Sequence, residues 1–121
     1  MFKKLMIAAV CWFMLTSVCY AEGLLYTADK TADFIVSSTR ANFFGILIIE
    51  DGANDVTVDI YDGTTSGGTA IIQSITFVAN ADNPNHLLSF DPPIVCYNGI
   101  FVDITTSGTA TYRVYYNHHN H

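Results

Sequence analysis

The sequence predicts an all-β domain, a small antiparallel sandwich, and three observations predict it. After residue 21, no window places apolar residues at the 3, 4, 7 spacing of a helix. Between Leu24 and Tyr116, β-branched and aromatic side chains alternate with polar ones. Clusters of Gly, Asn and Asp interrupt that alternation roughly every eight to twelve residues, the punctuation of short strands. With 121 residues the chain has material for one domain. Seven or eight strands in its last hundred residues suit a single sandwich of jelly-roll or immunoglobulin-like type, preceded by an N-terminal signal helix.

Residues 1–21 read as a signal peptide. Lys3 and Lys4 form a basic start, Leu5 to Leu15 is apolar, and Thr16 to Ala21 ends in small residues at Cys19 and Ala21. Cleavage is expected before Glu22. Two other readings stay open: an uncleaved anchor, since Leu5 to Ala21 is marginally long enough to span, and a lipoprotein on Cys19. A lipobox, however, wants Gly or Ala before its Cys and Leu three before it, where Val18 and Thr16 stand. After cleavage the sandwich domain runs over 22–117, followed by a His-rich tail, 118–121. The expected location is secreted, periplasmic or cell-surface, with no membrane association after cleavage.

Within the domain, strands are expected near Leu24 to Thr27, Phe34 to Ser38, Phe43 to Glu50, Asp55 to Tyr61, Thr69 to Val78, His86 to Phe90, Gly99 to Thr105 and Thr109 to Tyr116. Asp51-Gly52-Ala53-Asn54, Thr64 to Gly68 and Ser107-Gly108 supply residues that tolerate positive φ and are read as hairpins. Asn83-Pro84-Asn85 reads as a turn. Asp91-Pro92-Pro93 is expected to stop ladder hydrogen bonding before Asn98-Gly99 starts the next strand. Two stretches echo each other: Val58-Asp59-Ile60 before Thr64 to Ala70, and Val102-Asp103-Ile104 before Thr105 to Ala110. They read as similar hairpin chemistry.

Parity then assigns faces. Val56, Val58 and Ile60 point inward against Thr57, Asp59 and Tyr61; Ile100, Val102 and Ile104 do so against Phe101, Asp103 and Thr105. Ala110, Tyr112, Val114 and Tyr116 form the inward row of the last strand, leaving Arg113 and Tyr115 outward. Phe43 to Ile49 breaks the scheme. Phe44, Ile46 and Ile48 would share one face and Phe43, Leu47 and Ile49 the other, and one two-layer core cannot hide both rows. Loops, the N-terminal segment or a neighbouring subunit must cover the second row, so these six residues are the expected interaction surface.

Charge narrows the function classes. Residues 22–121 carry three basic side chains, Lys30, Arg40 and Arg113, and all eleven acids, a net charge of −8 with His neutral. Nucleic acid is therefore not an expected partner. Cys96 is the one cysteine after the leader, read as a buried small hydrophobe with no cationic neighbour to activate it. His118, His119 and His121 are the weak metal candidates: a terminal tail lacks the surrounding groups that orient imidazoles. Asp51 to Asp55 lacks the spacing of a calcium loop and reads as a turn. Asp59 and Asp103 fall on outward polar positions, where a glycosidase would need carboxylates across a cleft. There is no G-x-S-x-G or S-x-x-K motif. No enzyme and no cofactor are expected. Outward Tyr61, Phe101 and Tyr115 offer stacking positions for a glycan, the alternative function class.

The run Gly45-Ile46-Leu47, Asp51-Gly52, Asp55 to Gly63 and Gly68-Thr69, followed by Asn98 to Asp103, Gly108-Thr109 and Tyr112 to Tyr116, resembles short β-sandwich proteins of tailed phages and prophages. The resemblance covers most of residues 43–116. It implies a virion-associated structural subunit without catalytic residues; an export leader departs from that family, whose particles assemble in the cytoplasm. The function expected is a non-enzymatic, exported structural or surface-interaction subunit. It would self-associate or bind another surface or virion protein.

Overall fold

The computed structural model describes residues 24–118. The signal peptide with its helix, its cleavage point before Glu22, and His119 and His121 lie outside the described residues. Eight strands follow in order: β1 (Leu25–Tyr26), β2 (Phe34–Ser37), β3 (Ala41–Glu50), β4 (Val56–Asp62), β5 (Thr69–Phe77), β6 (Asn85–Cys96), β7 (Ile100–Thr106) and β8 (Ala110–His118). No helix occurs among the described residues.

The strands form two four-stranded sheets of order β1-β8-β3-β6 and β2-β7-β4-β5, every pairing antiparallel. β1 pairs β8, β2 pairs β7, β3 pairs β6 and β4 pairs β5. The chain is thus one long hairpin folded at the β4–β5 turn and rolled into two layers, which is jelly-roll connectivity. The immunoglobulin order, ABED against CFG, differs. Among the eight strands, only β4 and β5 are consecutive and in the same sheet. The Asp51–Asn54 and Ser107–Gly108 turns are therefore crossovers between sheets, and the two echoing sequences fold differently, one as a hairpin and one as a crossover. Local turn chemistry reports that the chain reverses; which layer it re-enters is decided by long-range pairing.

Alternation builds the core as parity requires. Val56, Val58, Ile60, Ile100 and Val102 from one sheet meet Phe43, Ile46, Ile48, Tyr112 and Val114 from the other in a single buried cluster. Cys96 belongs to it, and burial pushes its thiol up to about 12. The buried Tyr112 hydroxyl donates to the carbonyl of Ala32 at 2.6 Å, a partner it requires inside an apolar core. Burial and Asp33 raise that phenol above its ordinary range.

In β3 the expected rows are rearranged. The register shifts between Phe43 and Gly45 against both neighbours, so parity changes there. Phe43, Ile46 and Ile48 all point inward and are fully buried. The outward row is Phe44, Leu47 and Ile49. A Cβ on Gly45 would stand 2.5 Å from the carbonyl oxygen of Leu88, so the bulge needs glycine.

β6 also differs from expectation, continuing through Asp91-Pro92-Pro93 to Cys96. Its pairing jumps from Gly45↔Ser89 to Phe43↔Ile94, leaving Phe90 to Pro93 without partners. The prolines are accommodated because β6 is an edge strand and they sit in the irregularity.

Candidate interaction surface

The outer face of the β1-β8-β3-β6 sheet carries a shallow apolar groove of about 400 Å³. Leu24, Phe44, Leu47, Leu87, Phe90 and Tyr115 line it, drawn from the start of the chain and from β3, β6 and β8. Cross-strand register explains the hollow. Ser89, Gly45, Tyr115 and Tyr26 form one transverse row, and Gly45 leaves a gap in it. The next row is Leu87, Leu47 and Arg113. Leu87 is 65% exposed and Leu24 49%, high values for leucines sharing one surface. Arg113 is held at the margin by Asp29, whose Oδ1 accepts from Nε at 3.1 Å and Nη2 at 2.9 Å, and its guanidinium lies over the Tyr26 ring.

This face redraws the expected surface. Phe44 and Leu47 line the groove, and Ile49 lies outward at the end of the strand, whereas Phe43, Ile46 and Ile48 belong to the core and present nothing to a partner. Leu24, Leu87 and Phe90 were legible only in part: Leu87 has outward parity in Asn85-His86-Leu87-Leu88, but nothing local says that β6 adjoins β3.

The expected stacking trio separates. Tyr61 and Phe101 are register partners on the outer face of the opposite sheet, ring centroids 6.3 Å apart. Tyr115 lies on the groove face beside Tyr26, at 6.2 Å. Three aromatics therefore do not form one platform. Around Tyr61 and Phe101 the surface is acidic: Asp59 pairs with Asp103 across β4 and β7, and Asp33 reaches in to accept from the Ile104 amide. Desolvation, then Asp33 and Asp59, raise the Asp103 carboxyl above its ordinary range. Burial, then Asp59 and Asp103, raise the Tyr61 phenol.

Other acids serve the loops. Asp51 accepts from the Ala53 and Asn54 amides, the Asn54 side chain and the Thr109 amide, which hold its carboxyl far below the usual range. This ties the β3–β4 crossover to the β7–β8 crossover. Gly108 is glycine there because a Cβ would strike the side chains of Asp51 and Asn54, not because of its φ. Asp62 accepts from the amides of Tyr97 and Asn98. Glu50 has a buried side chain that takes His86 Nε2 at 2.9 Å and the amides of Gly52 and Asn80 at 2.6 Å each. The His86 hydrogen bond, helped by those amides, holds the Glu50 carboxyl below its ordinary value despite burial. Sequence reading missed this pair because its members are 36 residues apart.

His118 ends β8, exposed, with its ring edge-on to Tyr116 at 5.6 Å. Among the described residues no group of three His, Cys, Asp or Glu is placed to hold a metal ion.

No family model matches the chain, and no curated protein matches it. Its backbone is similar to a solved structure of infectious bursal disease virus, Gx strain, at 18% identity and a TM-score of 0.37. The match covers 80% of this chain and 28% of the viral one.

Proposed function

We propose that this chain is an exported, non-enzymatic structural subunit that binds a surface or virion partner through the outer face of its β1-β8-β3-β6 sheet. The observation that carries the reading is the groove: leucines and aromatics are gathered on one face of a domain whose charged residues are mostly acids. The non-enzymatic part is supported by the acids themselves. Glu50, Asp51 and Asp62 are engaged by amide donors that fix loops, and Asp59 and Asp103 lie on an open sheet face. Export is the reading of the leader in residues 1–21.

Fractionation of the tagged full-length protein in its host tests this. The wild type should sediment with envelopes or particles, and Leu47→Lys with Leu87→Lys should release it to the soluble fraction. A wild type recovered entirely free would overturn the proposal.

A second reading rests on Tyr61 and Phe101. Their paired rings, flanked by carboxylates that can accept sugar hydroxyls, offer a small glycan-stacking patch. A glycan array with wild type and Tyr61→Ala tests it; a specific signal lost in the variant supports glycan binding, and no signal excludes it.

A further inference from the structure

We propose that the β6 edge is a self-pairing seam, at which two copies join antiparallel about a twofold axis through Leu87 and continue their sheets into one. Among the described residues the two sheets end in four edge strands, β1, β6, β2 and β5. β1 and β2 are short, two and four residues. β5 is kinked: Ser74 has φ 51 and the register against β4 shifts twice. The first half of β6, Asn85 to Phe90, pairs with β3 without interruption from Asn85 to Ser89. From Asn85 to Ser89 it carries none of the devices that usually protect an edge: no lysine, no proline, no bulge and no inward carboxylate. Proline stands just outside it, at Pro84 and Pro92, which bounds the seam.

The direction of the backbone groups fixes the register. Glu50 donates to the carbonyl of Pro84, so Glu50 and Pro84 are a hydrogen-bonded pair. Alternation makes Ile48 with His86 and Ile46 with Leu88 hydrogen-bonded pairs too. Asn85, Leu87 and Ser89 therefore turn their amides and carbonyls away from β3. The far side of the sheet agrees: Tyr112 bonds to Lys30 in both directions, which leaves Thr111, Arg113 and Tyr115 to bond β3. Among the described residues no side chain bonds the outward groups of Leu87 or Ser89.

A twofold axis at Leu87 sets Leu87 opposite its own copy and Asn85 opposite Ser89. Each is an antiparallel pair that exchanges two backbone hydrogen bonds. Side chains on directly opposed residues share a face, so the row Arg113, Leu47, Leu87 meets its symmetry mate at the leucines. The most exposed leucine of the surface gains a neighbour, and two grooves become one. Charge also selects this edge. Asn85 to Phe90 contains no acid, so two copies of net charge −8 meet where no carboxylate faces another.

Sedimentation velocity of residues 22–121 tests the seam, with a variant that acts only on the backbone. Ser89→Pro removes an outward amide that β3 does not use and keeps every apolar groove residue. It should weaken dimerisation by about tenfold or more, while Leu47→Lys, which alters the face, leaves the dimer. Wild-type association should tighten with added salt as repulsion is screened. Leu87→Cys should be joined to its copy by a short bismaleimide, whereas Asn85→Cys, about 14 Å from its own mate in this register, should not. A monomeric wild type overturns the seam, as does a dimer that Leu47→Lys abolishes and Ser89→Pro spares. Because the inference rests on β6 backbone rather than on the groove's partner, envelope or particle binding by a monomer would leave the proposed function standing while removing the seam.

Discussion

His86 Nε2 lies 2.9 Å from Glu50 Oε2, and with the amides of Gly52 and Asn80 it encloses a carboxylate whose side chain has no exposed surface. The contact joins the end of β3 to the start of β6 and to the β5–β6 crossover. A buried charge is tolerated here because it has three donors, two of them backbone amides held in place by the chain.

The first prediction concerns acid. The folded Glu50 carboxyl titrates below its unfolded value, so its contribution to stability is complete above the usual carboxylate range and is lost as pH falls through the folded value. Glu50→Gln should lower the urea midpoint at pH 7, since a glutamine NH₂ cannot accept from the Gly52 or Asn80 amide. It should also flatten the acid limb of the stability curve. An acid dependence identical to wild type would refute the assignment.

Gly45→Ala should cost about 1–3 kcal/mol by urea denaturation, because its Cβ meets the backbone of Leu88 and Ser89 rather than a movable side chain. Gly67→Ala is the control. The Thr65 hydroxyl is the only neighbour near its Cβ, at 3.4 Å, and the change should stay within about 0.5 kcal/mol.

Tyr112→Phe removes the 2.6 Å bond to Ala32 while keeping the ring in the core. A loss of about 1–3 kcal/mol is expected, since the Ala32 carbonyl loses its donor. A value near zero would mean that water replaces the hydroxyl.

Cys96 should be silent to thiol reagents in the folded protein at pH 8 and react at once in denaturant, because it is buried and its thiol is pushed up to about 12. Rapid labelling of the native protein would show that this part of the core opens readily.

How much of this was legible follows from what each signal depends on. Period-two alternation is local, so the inward rows of β4, β7 and β8 follow from sequence: Val56, Val58, Ile60, Ile100, Val102, Tyr112 and Val114 are all buried. The Phe43–Gly45 bulge is set by the approach of Leu88, which lies more than forty residues away, and one misplaced parity step exchanged Phe43 with Phe44. Pro92 and Pro93 read as a strand break because edge position is a property of the sheet, not of the segment. The groove was half visible: alternation sets Leu47 and Ile49 in one row with Phe43, and the bulge puts Phe44 there instead. Its other wall, Leu87 with Leu24 and Phe90, depends on sheet order.

The nested pairing of the strands has a consequence in time. Among the described strands the β4–β5 hairpin is the only pairing whose partners are neighbours in the chain, and each further pair, β3 with β6, β2 with β7, β1 with β8, closes a longer loop. Of the eight described strands β8 is both the last to emerge from synthesis and an inner strand, between β1 and β3. Until residues 110–118 arrive, the groove-bearing sheet is split, with β1 unpaired and β3 open along one side. Folding of this domain therefore waits for its last described strand, at the slow pace of a non-local β topology.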